Sequence, residues 1–162
     1  MALSHISDRR YFIKANSAEI RIVWNGERYD GCNFESFKSS FEPNITQQSV
    51  LGSNVTVPIE GSGAFAFEGT LNRASSRVAL AAYELIKNNT ATRFDMEVYT
   101  HDANSYFGTQ VIIYKGCTLS KYELDNVGAG DDLSKLDFPG QASDILIPQV
   151  FKDAKINGLT LF

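Results

Sequence analysis

The side chains able to do chemistry are few and poorly placed for it. The chain has two histidines, His5 and His101; His101 is followed by Asp102 in the run His-Asp-Ala-Asn-Ser. A His–Asp neighbour pair could be half of a hydrolytic triad. A triad also needs a nucleophile on a strained elbow, and no Gly-x-Ser-x-Gly is present. The pair is therefore read as a solvated turn. Asp102 and Asn104 have the spacing of the first two ligands of a calcium loop, but the glycine and the closing glutamate are missing. Gly61-Ser62-Gly63 precedes a strand with no βα turn after it, so it is not a dinucleotide fingerprint. Asp131-Asp132 reads as a solvated acidic turn in a glycine-rich connection. Glu68 and Glu97 fall on the polar faces of strands, the ordinary place for a carboxylate. Cys32 and Cys117 lie far apart without a CxxC pairing and are read as free buried thiols. No catalytic residue, cofactor site or metal site is expected.

The elements that would carry these residues centre on residues 61–99. Phe65, Phe67 and Leu71 alternate with Ala64, Ala66, Glu68 and Thr70, the period of a strand with two unlike faces. Val78, Ala81, Ala82, Leu85 and Ile86 follow at i, i+3, i+4, i+7 and i+8, which predicts a helix with one buried stripe. Phe94, Met96 and Val98 then alternate with Asp95, Glu97 and Tyr99 in a second strand.

The 162 residues suit one domain with a real core. Eleven Phe and seven Tyr favour a β-rich interior. A formal net charge of −4 argues against an electrostatic grip on nucleic acid, which needs a basic face. The N-terminus has no apolar signal-like run and no stretch reaches the length of a membrane span, so folding in a cytoplasm is expected. On that expectation the Asn-x-Thr triplets at Asn44, Asn54 and Asn88 are not glycan sites.

Taken in order, residues 1–16 read as an N-terminal arm with little structure of its own, and residues 17–162 as a single domain. Ile20, Ile22 and Trp24 alternate up to Asn25-Gly26, a strong hairpin signal because a type I′ turn needs positive φ at both central residues. The return strand runs from Glu27 to about Phe41, with a break near Asp30-Gly31. Its alternation slips once between Phe34 and Phe41, as at a bulge. Residues 42–61, rich in Asn, Gln, Ser, Thr and Gly, are expected as a long loop. That loop is either a mobile surface segment with a short edge strand, or a hairpin that orders on a neighbouring subunit. A polar turn at 102–105, a strand from Tyr106 to Tyr114, a tight turn at Lys115-Gly116 and a further strand follow. The connection 128–144 leads to a last strand interrupted at Pro148 and an apolar tail with Leu159, Leu161 and Phe162, read as a contact. With about seven strands and one helix, the expected class is mainly β: an antiparallel β-sandwich or partial barrel with one flanking α-helix.

One ordered set of features goes further. The set is Gly61–Gly63 before a strand, Ser75 and Ser76 opening the helix, Asn88–Thr90 ending it, a turn at Asp102–Ser105, Gly108 to Gln110 before a strand, and Gly116. From about Glu19 onward this order resembles the tail tube proteins of phages and phage-derived contractile particles, especially those of Gram-positive hosts. The arm and the 128–144 connection are longer than that pattern.

The resemblance implies a structural, non-enzymatic virion subunit. It implies homo-hexameric rings whose sheets join across subunits into one inner β-barrel, stacked into a hollow tube. DNA or effectors would pass through transiently during ejection, with sheath, baseplate and terminator proteins as partners. The location would be a virion tail, assembled in a bacterial host cytoplasm. It also implies an inter-ring contact through Gln48, Val50, Leu51, Val55, Val57 and Pro58, and a lumen face with Glu68, Asp95 and Glu97. The rival readings are a monomeric β-sandwich module for a small ligand or glycan, and an enzyme on a β-barrel scaffold. The second has no candidate residues.

Overall fold

The computed structural model describes residues 9–30, 34–73, 75–153, 155–156 and 159–160. The fold is mainly β with antiparallel pairing and one α-helix. Two compact units are formed, one from the described residues of Met1–Cys32, Phe94–Lys115 and Ile145–Phe162, the other from those of Asn33–Arg93 and Gly116–Asp144.

In the first unit, β1 (Ala18–Trp24) and β2 (Glu27–Asp30) are joined by Asn25-Gly26. Both turn residues have positive φ, 52° and 76°, as a type I′ turn requires. On its other side β1 pairs with β5 (Phe94–His101), with Ile20 opposite Val98, Ile22 opposite Met96 and Trp24 opposite Phe94. Alternation puts Ile20, Ile22, Trp24, Phe94 and Met96 on one buried face, with Met96 wholly enclosed. The Trp24 and Phe94 rings stack with centroids 4.6 Å apart. Next to β5 lies β6 (Thr109–Leu119), and β9 (Asp144–Gln149) pairs with β6.

The second unit is built on a long hairpin of β3 (Phe34–Ser49) and β4 (Thr56–Asn72). The expected slip in alternation is there, as a register shift between Phe34 and Ser36, and a second lies between Pro43 and Ile45. β7 (Lys135–Asp137) and β8 (Gly140–Ala142) pair with the inner end of β4, and β8 also pairs with the end of β6. Phe138, between β7 and β8, is buried, with its ring centroid 5.4 Å from Phe34 and 6.0 Å from Phe67. α1 (Arg77–Asn88) ends at Asn89, which takes the left-handed conformation (φ 50°) common at helix C-termini.

Several expectations are corrected. Residues 42–61 are mostly strand, because β3 and β4 run on as a ladder to Ser49 and Thr56. The return strand from Glu27 is interrupted after Asp30, at the expected break, but its second part, β3, runs past Phe41 to Ser49; residues 31–33 lie outside the described ones. The strand expected from Tyr106 begins at Thr109. The connection 128–144 carries β7 and β8, so eleven strands are described against about seven expected. Pro148 sits within β9 rather than breaking it. The side chains of the apolar tail, including Leu159, Leu161 and Phe162, lie outside the described residues. Ile86 is 70% exposed, so the buried stripe of α1 is Val78, Ala81 and Ala82, with Leu85 half-buried.

Lys115-Gly116 is not a turn. Gly116 stays inside β6 with φ 61°, and a Cβ there would overlap the Ser143 hydroxyl. A glycine at positive φ can kink a strand without ending it. Gly116→Ala is expected to cost about 1–2 kcal/mol for the left-handed backbone alone, read as a lowered urea midpoint at unchanged slope. An unchanged midpoint would refute that strain.

Candidate functional site

Asp102 and His101, the pair singled out for chemistry, have ordinary structural partners, while His5 lies outside the described residues. Asp102 is buried, not solvated. Its carboxylate accepts from the Arg9 guanidinium, from the Lys14 backbone N–H at 3.1 Å and from the Asn104 N–H at 3.0 Å. The neighbouring His101 is exposed and uses Nδ1 on the Thr109 hydroxyl at 2.8 Å, so it forms no dyad with Asp102. The same turn holds the arm elsewhere. The Tyr106 N–H donates to the Arg10 carbonyl at 2.8 Å, and the Arg10 guanidinium lies 4.7 Å from the Tyr106 ring centroid. The arm from Arg9 to Ser17 thus contains two short 3-10 turns and is tied down at its start.

The Arg9 hydrogen bond, then the Lys14 N–H, lowers the Asp102 pKa from 3.8 to about 2. Such a depressed carboxylate stabilises the fold fully above its unfolded pKa and loses that contribution as pH falls through the folded one. Asp102→Asn is therefore expected to lower the melting temperature above about pH 4, with the difference from wild type closing towards about pH 2. A difference independent of pH would rule out the charge as its cause.

Among the described residues no group of three or more His, Cys, Asp or Glu gathers as metal ligands would. Cys117 is a buried thiol in no disulfide; Cys32 lies outside the described residues. No helix among the described residues is long and apolar enough to cross a membrane. An open groove of about 550 Å³ is lined by Ser36, Lys38, Glu68, Lys121 and Asp137 among others, with Lys121 3.4 Å from Asp137.

The site with an unmet physical need is the hairpin. β8 pairs with β4 only over Phe65–Phe67, and β7 only over Thr70–Asn72. From Glu42–Ala64 outward, β3 and β4 pair, among the described residues, only with each other. At about 3.4 Å per residue this ribbon extends roughly 30 Å. A lone two-stranded ribbon is marginal in water, and this one is exposed along nearly its whole length, with only Pro43 half-buried. Register puts Val57 with Gln48 and Ile59 with Thr46 on one face, and Pro58 with Gln47 on the other. Val50, Leu51 and Val55 lie at the tip, where Leu51 is wholly exposed and Val55 70% exposed. The six residues expected at an inter-ring contact thus fall together on one projecting ribbon. Phe41, Ile45 and Ile59 add exposed apolar area that the sequence reading did not single out.

The acidic residues expected at a lumen are divided between the units. Glu68, exposed on β4, lies directly opposite Lys38. On β5, Glu97 is opposite Arg21, and Asp95 is 3.8 Å from Lys115 Nζ. Each carboxylate therefore has a cation close by, and none belongs to an uncompensated acidic row.

α1 carries a second unpartnered surface. Leu80, Tyr83 and Ile86 are exposed and follow one another at i, i+3 and i+6, a ridge along the helix.

Comparison with known proteins places this geometry. No curated protein matches the sequence. Similar solved folds include the tube-terminating cap of the anti-feeding prophage (TM-score 0.66, 11% identity, 93% of this chain and 99% of that one). A second is the sheath–tube complex of an extracellular contractile injection system (TM-score 0.61, 11% identity, 93% and 99%). A third is the anti-feeding prophage baseplate (TM-score 0.59, 9% identity, 80% and 91%). The sequence itself matches the family model described as "Phage tail tube protein" over residues 8–148, most of its length, and the chain therefore belongs to the phage tail tube protein family.

Proposed function

We propose that copies of this chain, as the structural subunits of a tail tube, close into six-membered rings that stack around a lumen. The chain works by assembly, without catalysis. The observation that carries this reading is the exposed ribbon beyond Ala64, apolar at its tip and supported by no third strand. Such a segment lowers its free energy by docking on another copy. Gln48, Val50, Leu51, Val55, Val57 and Pro58 make the contact between successive rings.

Sheath, baseplate and terminating-cap proteins are the further partners; the fold is shared with chains from a cap, a baseplate and a sheath–tube complex. The subunit is made in a bacterial host and ends in the tail of a virion or phage-like particle. Residues 17–162 act as one assembling domain. The polar faces of β4 and β5, with Glu68, Asp95 and Glu97, line the lumen. Their neighbours Lys38, Lys115 and Arg21 balance them, a wall that neither binds nor strongly repels passing DNA.

Negative-stain electron microscopy of the purified chain over a concentration series tests the proposal. Rings or hollow rods that grow with concentration are expected. Single particles at every concentration, also in the presence of preformed tube ends, would overturn it.

A further inference from the structure

The hairpin needs a receiving surface, and the same unit presents one. The exposed ridge of α1, Leu80, Tyr83 and Ile86, is apolar on a helix that has only Arg77, Glu84, Lys87 and Asn88 as polar residues. Three large apolar side chains exposed in one row, besides the buried stripe of Val78, Ala81 and Ala82, make a surface of the kind that a partner covers. Val55 and Ile86 are each 70% exposed, so within one copy neither surface covers the other.

Their net charges are opposite. The ribbon, residues 42–64, holds two carboxylates (Glu42 and Glu60) and no Lys or Arg, while α1 holds two cations (Arg77 and Lys87) against one carboxylate, Glu84. Segments of opposite net charge, each with an exposed apolar stripe, are complementary in both terms that govern docking.

We propose that the α1 ridge Leu80–Tyr83–Ile86 of one copy receives the apolar ribbon face Val55–Val57–Ile59 of a second copy. This rests on the tube reading above and names the surface on which its hairpin lands. In a stack of rings the contact runs head-to-tail, every copy giving a hairpin to one neighbour and receiving one from another, so that it propagates along the stack.

The test places the photo-crosslinking residue p-benzoylphenylalanine at position 83 of the full chain. Illumination is carried out in an equal mixture of ¹⁵N-labelled and unlabelled copies, and adducts are mapped by mass spectrometry. Mixed-label adducts to residues 50–59 are expected; adducts confined to other segments overturn the proposal. A second measurement uses paired variants. Leu80→Asp with Ile86→Asp, and separately Val55→Asp with Val57→Asp, should each raise the concentration needed for assembly by about tenfold or more. Mixed together, rings of the two variants should pair one to one, the hairpins of one ring on the helices of the other, and grow no further. If the helix variant assembles at the wild-type concentration while the hairpin variant does not, the pairing is wrong and the tube reading stands. If the wild-type chain neither self-associates nor gives any mixed-label adduct, the tube reading falls with it.

Discussion

Replacing residues 47–58 with Asn-Gly is expected to abolish tube formation while leaving the subunit folded. The cut is placed so that Thr46 and Ile59, partners in the native ladder, stay paired across a two-residue turn. No side chain of the excised segment is buried, so little core is lost. The aromatic cluster of Phe34, Phe37, Phe67 and Phe138 lies beyond the cut. Stability by urea denaturation should therefore change by no more than about 1 kcal/mol, as for surface changes away from the core. Sedimentation velocity should show the loss of every species larger than a ring. Rods of normal length from this variant would remove the hairpin from the axial contact.

The second large effect is of the opposite kind. Phe138→Ala should cost about 3–5 kcal/mol, the range for truncating a buried aromatic side chain. Phe138 is 1% exposed and fills the space between Phe34 and Phe67, while its backbone N–H bonds the Gly69 carbonyl at 2.8 Å. Net stabilities of domains are typically 5–15 kcal/mol, so this one truncation removes a large fraction of the reserve. Assembly should fail here because the subunit unfolds, with loss of the folded circular dichroism spectrum on mild warming. The hairpin variant should keep that spectrum. A Phe138→Ala protein within about 1 kcal/mol of wild type would show that the aromatic cluster closes over the gap.

What the sequence made legible follows from where alternation meets a buried face. Ile20, Ile22 and Trp24, and Phe94 and Met96, have one face in the core and one outside, and their elements could be read residue by residue. The Asn-Gly turn was legible for a local reason, the sign of φ. The ribbon was harder to see because both its faces are exposed, and Thr, Gln, Ser and Asn then give no in-and-out signal. Residues 42–61 consequently look like a loop, although VTVPI carries β-branched residues. Gly116 looks like a turn because positive φ is far commoner in turns than within strands. The burial of Asp102 depends on Arg9, 93 residues away, which no local pattern encodes. Ile86 fits the helical period but stands at the margin of the buried stripe, and so joins the exposed ridge. For the candidate site, the tip residues were nameable from sequence. Ile59, Leu80 and Tyr83 were not, because an exposed apolar side chain is recognised only once the fold shows that nothing covers it.

The position of β3 has a further consequence. It stands at the end of the strand order, paired among the described strands with β4, so along its outer half alternate residues turn a row of backbone donors and acceptors away from β4. Past Lys38 the strand has no cation, and Pro43 is its one residue unable to donate. Any extended chain could add to that row, which makes the unassembled subunit prone to aggregate. Concentration alone thus separates two fates, ordered growth and amorphous precipitate. The store of free subunits should be kept small, with synthesis matched to the rate at which tube ends consume them.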